Sequence, residues 1–323
     1  MKRVIVTGGA GFIGSCLLWR LNKEGISGII VVDEPLTSVK EKNLEGKDFS
    51  DFLGKDGFLS MIGSGGFGKE IDAIFHLGAC TSTTLMDMDY FLKNNVEYSK
   101  ILAKYAISRG IRFIYASSGA TYGDGSLGFD DGDATTLKLK PLNPYGYSKH
   151  LFDLWAINGG VADKMVGLKY FNVFGPNEYH KEDMRSVIAK SFDHVVKHKK
   201  IRLFKSYKKE YPDGGQKRDF IYVKDAVSAT YHFFEKRDKG GIYNVGTGEA
   251  RTWNDLAKAL FEALGVELDI EYFDMPEGLR DKYQYFTEAK ISRLRAAGFK
   301  EDFHTLEDGV REYAGFLKEK SYL

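Results

Sequence analysis

The chain has 323 residues, 43% hydrophobic and 28% charged, with a formal net charge of +1. That balance suits one large or two modest globular cores, and gives no general field for nucleic acid or an anionic membrane. No apolar run reaches the ~18 residues of a membrane helix; an immediate first strand leaves no place for a signal peptide; and two cysteines without metal-ligand spacing, Cys16 and Cys80, suit a reducing cytoplasm and imply no metal.

In chain order, Val4-Ile5-Val6 predicts a strand, and Gly8-Gly9-Ala10-Gly11-Phe12-Ile13-Gly14 a glycine turn. Ile13, Cys16, Leu17 and Leu21 share one face of a following helix that Gly25 ends. Strand, turn and helix in this order form a dinucleotide cradle. Gly8, Gly11 and Gly14 allow a tight turn and a close backbone approach to a pyrophosphate, which the helix N-terminus stabilises. The next predicted strand, 29–33, ends on Asp33, 19 residues after Gly14, where a carboxylate would hold a ribose hydroxyl.

Further strands at 73–77, 113–117 and 166–170 alternate with helical patterns at 90–108 and 145–158, which implies a parallel sheet covered on both faces. The glycine cluster at 63–66 reads as a surface loop, and the polar stretch 205–217, with Pro212 and Gly214-Gly215, as an exposed one. Residues 220–223 and 242–245 read as late strands able to return to the first sheet. The expected fold is α/β: a Rossmann-type doubly wound parallel sheet over 1–170, rejoined by 220–246, with a smaller discontinuous α/β substrate domain within 171–323.

Tyr145 and Lys149 are spaced to share one face of a helix, about 5–6 Å apart at Cβ. A free tyrosine, with a pKa of about 10, is a poor base at neutral pH. A nearby ammonium and a positive nicotinamide ring would both favour the phenolate. Ser118 follows the strand 113–117 and would present its hydroxyl at the carboxyl end of the sheet, where open α/β sheets bind ligands. Ser117 could replace it, and Ser118 could instead cap a helix. Tyr147 competes poorly with Tyr145, because a spacing of two from Lys149 points the side chains apart.

These residues resemble the extended short-chain dehydrogenase/reductases. Five further stretches narrow the resemblance to the ADP-L-glycero-D-manno-heptose 6-epimerase family, from the glycine turn to Phe299. They are His76–Thr84 with its Cys80-Thr81-Ser82-Thr83-Thr84 run, Pro144-Tyr145-Gly146-Tyr147-Ser148-Lys149, Tyr170–Pro176, Lys217–Phe220 and Tyr283-Gln284-Tyr285-Phe286-Thr287. The resemblance implies inversion at C6 of the heptose in ADP-D-glycero-D-manno-heptose, giving the L-glycero epimer by transient oxidation and re-reduction with bound NADP. It also implies a cytoplasmic homo-oligomer serving lipopolysaccharide core assembly. Tyr145, Lys149 and Ser118 would act on one face and Lys181 as a second acid/base; read alone, Lys181 is a solvated charge beside Glu182 and Asp183. Phe12, Ile13, Asp33, Lys40, Lys55, Leu77, Gly78, Ala79, Cys80, Thr81, Asn94 and Val173 would serve the cofactor, and Asn172, Asp183, Lys190, Phe204, Arg218 and Tyr283 the substrate. Arg218 could clasp a pyrophosphate bidentately or pair with Asp219 at the surface.

The chain departs from the family in places. Glu34 stands where asparagine is usual; beside Asp33 it favours NAD, whereas Lys40 and Lys55 favour NADP. Asp183 replaces a serine and Lys190 a histidine, and the 205–217 loop is longer than usual. The alternative readings are a UDP- or GDP-sugar 4-epimerase, which needs no base at Lys181, and a non-catalytic dinucleotide sensor, which needs no proton dyad. A 4,6-dehydratase would require an Asp-Glu pair where Gly119-Ala120 stand.

Overall fold

Val4, Ile5 and Val6 are 0% exposed, and so are Ile29, Ile30 and Val31. Continuous apolar runs of this kind belong to parallel strands covered on both faces. Alternate side chains feed two cores. Val4 and Val6 meet Leu17 and Leu21 of the helix Phe12–Lys23, while Ile5 meets Leu102 and Ala106 of the helix Tyr98–Ser108. In this computed structural model the described residues are 2–67, 71–83, 85–280 and 283–323, so Thr84 of the threonine-rich run lies outside them.

The main sheet is built from β1 (Arg3–Thr7), β2 (Gly28–Asp33), β3 (Asp51–Gly54), β4 (Ala73–His76), β5 (Arg112–Ser118), β6 (Val166–Tyr170) and β10 (Gly241–Val245). Its order is β10-β6-β5-β4-β1-β2-β3, parallel throughout. From β3 to β6 this is the 3-2-1-4-5-6 order of a Rossmann-type fold, whose ligand crevice opens where the order reverses, between β1 and β4. Two smaller sheets complete the chain. One joins β7 (Asn172–Phe174), β9 (Lys217–Tyr222) and β11 (Ala250–Thr252); the other joins β8 (Ile201–Phe204) and β12 (Ile270–Phe273).

The structure differs from the sequence reading in two places that bear on the site. Residues 220–222 do not return to the main sheet: β9 pairs with β7 and β11, and β10 alone takes the sheet's edge. β5 and β10 occupy the two sides of β6, and β9 forms its ladders with β7 and β11 instead. The predicted helix 90–108 is also not uniform. It opens at Met88–Phe91, passes through a π-helical stretch, Leu92–Glu97, and continues as Tyr98–Ser108. π-Bulges cluster at functional sites, and this one carries Asn94 and Asn95. The 205–217 loop is exposed at Tyr207–Glu210 but anchored, with Ser206 N–H donating to Asp213 (2.7 Å) and Tyr207 N–H to the Tyr285 hydroxyl (2.9 Å).

Candidate active site

The glycine turn is shaped to exclude side chains. Gly8 has φ +68°, and a Cβ there would lie 2.6 Å from the Gly78 backbone; one on Gly14 would lie 2.0 Å from the Gly8 carbonyl oxygen. No side chain caps the helix that starts after Gly11, so its first amides point into the crevice as an anion site. All the cofactor candidates from Gly8 to Asn94 line this one cavity. A narrow backbone cradle with an open helix end fits a dinucleotide pyrophosphate.

At the β2 end, charges alternate. Asp33 accepts from Ala10 N–H (2.9 Å), Glu34 N–H (2.8 Å) and the Lys40 ammonium (2.8 Å). Lys55 reaches Glu34 (3.2 Å) and donates to Asn94 Oδ1 (2.5 Å). Each lysine therefore balances one carboxylate.

A second cavity adjoins the first and shares Phe12, Ile13, Leu77, Ala79 and Lys181 with it. It brings together Ser118, Tyr145, Lys149, Asn172, Val173, Lys181, Asp183 and Lys190, which five separate segments of the chain contribute. The helix Pro144–Asn158 starts where it must for this: Asn143 caps it by accepting from Gly146 N–H (2.8 Å), and Pro144 occupies the first turn. Tyr145 then stands at the helix mouth beside the end of β5. Burial raises its phenol above the ordinary value, and a hydrogen bond with Ser118 opposes that shift. Burial pushes the Lys149 ammonium down to about 8, against the pull of Asp153. Its Nζ donates to the Ala116 carbonyl at 2.8 Å. Ser117, the alternative to Ser118, turns away to donate to Asp153 (2.7 Å).

Lys181 is not a solvated surface charge. It lies over the Phe12 ring, 5.3 Å from the centroid, and burial lowers its proton affinity while Glu178 raises it. Its loop is held from below by Glu178, which is 0% exposed and accepts from both the Ser186 amide and hydroxyl at 2.6 Å. Glu182, the next residue, has φ +48°, a strained conformation for a non-glycine residue that marks an over-determined loop.

Phe204, Arg218 and Tyr283 line neither cavity; they form a cluster behind Trp253, which does line the second. Arg218 lies 5.0 Å from the Tyr283 ring and 5.8 Å from the Trp253 ring, and Trp253 donates to the Tyr283 hydroxyl at 2.9 Å. Phe204 meets Tyr283 edge-on at 6.2 Å. Arg218 does not pair with Asp219, because neighbours on a strand face opposite sides. Asp219 instead accepts from Thr247, Gly248 and Ala289. Arg218 is 6% exposed and has no acidic partner among the described residues. Its guanidinium donates to the Lys217 carbonyl at 2.8 Å.

Sequence reasoning passed over Asn95, Trp253, Asp153 and Lys169. Asn95 is 1% exposed and ties the Cys80 backbone to Ser148, one turn from Tyr145. Its adjacency to Asn94 was the available signal. Nothing local marks Trp253, whose role depends on a contact with Tyr283, 30 positions away.

The chain matches the NAD dependent epimerase/dehydratase family over residues 4–246. It is 54% identical over 309 residues, 96% of each chain, to ADP-L-glycero-D-manno-heptose-6-epimerase of Nitratidesulfovibrio vulgaris strain DP4. The crystal structure of the Helicobacter pylori enzyme of that name superposes with a TM-score of 0.82 at 28% identity, covering 98% of this chain and 96% of that one. A UDP-N-acetylglucosamine 4-epimerase from Methanobrevibacter ruminantium M1 reaches 0.81 at 27% identity, covering 99% of both chains, so the backbone alone does not select the sugar. The glycine cradle opens onto Ser118, Tyr145 and Lys149 across one parallel sheet, and the chain belongs to the NAD dependent epimerase/dehydratase family.

Proposed function

We propose that this protein is an ADP-L-glycero-D-manno-heptose 6-epimerase, converting the D-glycero to the L-glycero form of ADP-manno-heptose with NADP as its cofactor. The observation that carries the reading is 54% identity over 96% of both chains to an enzyme of that name. The cavity supports it by holding a half-buried second base, Lys181, which a ring 4-epimerase would not need there.

When bound, a nicotinamide dinucleotide supplies reversible hydride transfer at the sugar carbon. Tyr145 accepts the C6 hydroxyl proton as that carbon is oxidised, and Ser118 holds the oxygen. Burial makes Tyr145 a reluctant base, which the Ser118 hydrogen bond opposes; the Lys149 ammonium, one helical turn on, would favour the phenolate further. Inversion requires the ketone to turn its other face towards the same hydride source. The oxygen then lies elsewhere, and Lys181, from a different segment, returns the proton. Arg218 binds the pyrophosphate, backed by Trp253 and Tyr283, while Asn172, Asp183 and Lys190 shape the rest of the substrate site and Phe204 supports Tyr283 from behind. Lys40 and Lys55 hold the 2′-phosphate of NADP, exchanging Asp33 and Glu34 for a more strongly charged partner.

Within this reading, residues 1–170 with 223–246 carry the cofactor, and the remainder of 171–323 carries the substrate. Among the described residues no helix is long and apolar enough to cross a membrane, and no cluster of His, Cys, Asp and Glu could hold a metal. The epimerase reading itself places the protein in the cytoplasm, in lipopolysaccharide core synthesis. Exposed Ile101 and Tyr147, on the helices Tyr98–Ser108 and Pro144–Asn158, offer apolar surface to a second copy in a homo-oligomer.

The test is NMR of the purified protein with ADP-D-glycero-β-D-manno-heptose and no added cofactor. Equilibration to the C6 epimer is expected. Failure, with NADP also added, would reject the heptose assignment and turn attention to UDP- and GDP-hexoses.

A further inference from the structure

Beneath the second cavity lies a charged pair that the mechanism above does not use. Asp153 stands one helical turn beyond Lys149, and Lys169 is on β6; both side chains are 0% exposed and meet at 2.9 Å. Asp153 also accepts from the hydroxyls of Ser117 (2.7 Å) and Tyr115 (2.9 Å), both on β5. Lys169 donates to Thr121 Oγ1 (2.8 Å), and Thr121 donates in turn to the Ser118 carbonyl (2.8 Å). The Lys169 ammonium lies 5.1 Å from the Tyr122 ring centroid.

Stability alone does not call for such a pair, since well-packed apolar residues of similar volume often serve as well. What the pair supplies is direction. Asp153 takes donors from two strands while standing on the helix, and Lys169 reaches on to the turn after Ser118. The bonds therefore span the elements that must stay in register for Tyr145 to meet Ser118. Lys149 makes the same crossing through the Ala116 carbonyl.

We propose that Asp153 and Lys169 are positioning residues for the epimerisation: their buried ion pair, strapped to β5 by the Ser117 hydroxyl, locks the helix bearing Tyr145 and Lys149 against the strand end bearing Ser118. The inference rests on the epimerase reading. It has an electrostatic side as well. The groups facing Lys149 are Asp153 on its own helix, Cys80 beyond β4, His76 at the end of β4, and Tyr145. Asp153 leads those that hold the proton on Lys149.

Two variants separate register from charge. Ser117→Ala removes one strap and leaves the pair intact. Asp153→Asn with Lys169→Gln replaces both charges by amides that can still hydrogen-bond. Each would be compared with the unaltered protein for melting temperature, bound cofactor by absorbance, and kcat, KM and the pH–rate profile on ADP-heptose. Ser117→Ala is expected to keep its fold and cofactor while kcat falls roughly tenfold or more at unchanged KM, as misplacement of reacting groups predicts. In the double variant the basic limb of the profile should move to lower pH, because Lys149 loses the carboxylate that holds its proton.

A folded Ser117→Ala with unaltered kcat would overturn the proposal, as would a folded double variant with an unshifted limb. If the double variant does not fold, the Ser117→Ala result decides alone. Absence of conversion by the unaltered protein would instead overturn the epimerase reading, and this proposal with it.

Discussion

The ammonium of Lys40 lies 2.8 Å from the carboxylate of Asp33, and three positions of that carboxylate's shell are filled by Lys40 and two backbone amides. Asp33 is thus occupied in shaping the glycine turn. Lys40 and Lys55 become the adjustable charges at this end of the cleft. Replacing both by alanine should weaken NADP binding by roughly ten- to a hundredfold, at about 1.5–3 kcal/mol for charged hydrogen bonds, and leave NAD binding far less affected. Glu34→Asn should favour NADP. Calorimetric titration with the two dinucleotides checks this; equal losses for both would reject the 2′-phosphate assignment.

The cradle has no spare room at Gly14. An alanine Cβ there would stand 2.0 Å from the Gly8 carbonyl oxygen, a backbone atom that cannot move aside without opening the turn. Gly14→Ala should purify without its dinucleotide and melt at lower temperature. Absorbance of the purified protein and a melting curve read the two effects.

Tyr145→Phe and Lys181→Met should each lower kcat by roughly 10²–10⁴-fold, the usual contribution of a proton-transfer group, with the cofactor still bound. The unaltered enzyme should also lose activity as pH rises through about 8, where Lys149 gives up its proton and its support of the Tyr145 phenolate. A Lys181→Met enzyme that still inverts C6 at the normal rate would remove the second base from the mechanism.

Arg218 offers a split between affinity and stability. Arg218→Met should raise KM for the nucleotide sugar about a hundredfold, through loss of a bidentate charged contact. The melting temperature should hold or rise, because a buried cation with no acidic partner among the described residues has been removed. A sharp fall in melting temperature would show that Arg218 serves the fold instead.

His76 links stability to pH. It is 2% exposed, bonded to Thr7 Oγ1 (2.7 Å) and Ser99 Oγ (2.8 Å), and burial with the nearby Lys149 and Lys55 charges pushes it down to about 3. A histidine lowered in the folded state stays neutral there, while the unfolded chain takes up a proton below its ordinary 6.5. Stability is therefore present in full above 6.5 and lost as pH falls towards 3, by about 2 kcal/mol on going from pH 7 to pH 5. Urea unfolding at the two pH values measures it, and His76→Gln should remove this histidine's share of the difference.

The sequence by itself determined the Rossmann half and the chemistry. Apolar runs at 4–6 and 29–32 read as strands covered on both faces, Gly8, Gly11 and Gly14 mark a turn of close backbone approach, and a tyrosine four places before a lysine on a helix shares its face. Each of these is a local constraint, set within one element. Arrangement between distant elements was left to the tertiary structure. It sent residues 220–222 to a second sheet paired with β7 and β11, turned Arg218 inward away from Asp219, and moved Lys181 from an apparent surface charge to a place over Phe12. It also joined Asp153 to Lys169 beneath the site. Burial and pairing depend on which strands and loops meet, and a linear pattern carries no information about its partner across the fold.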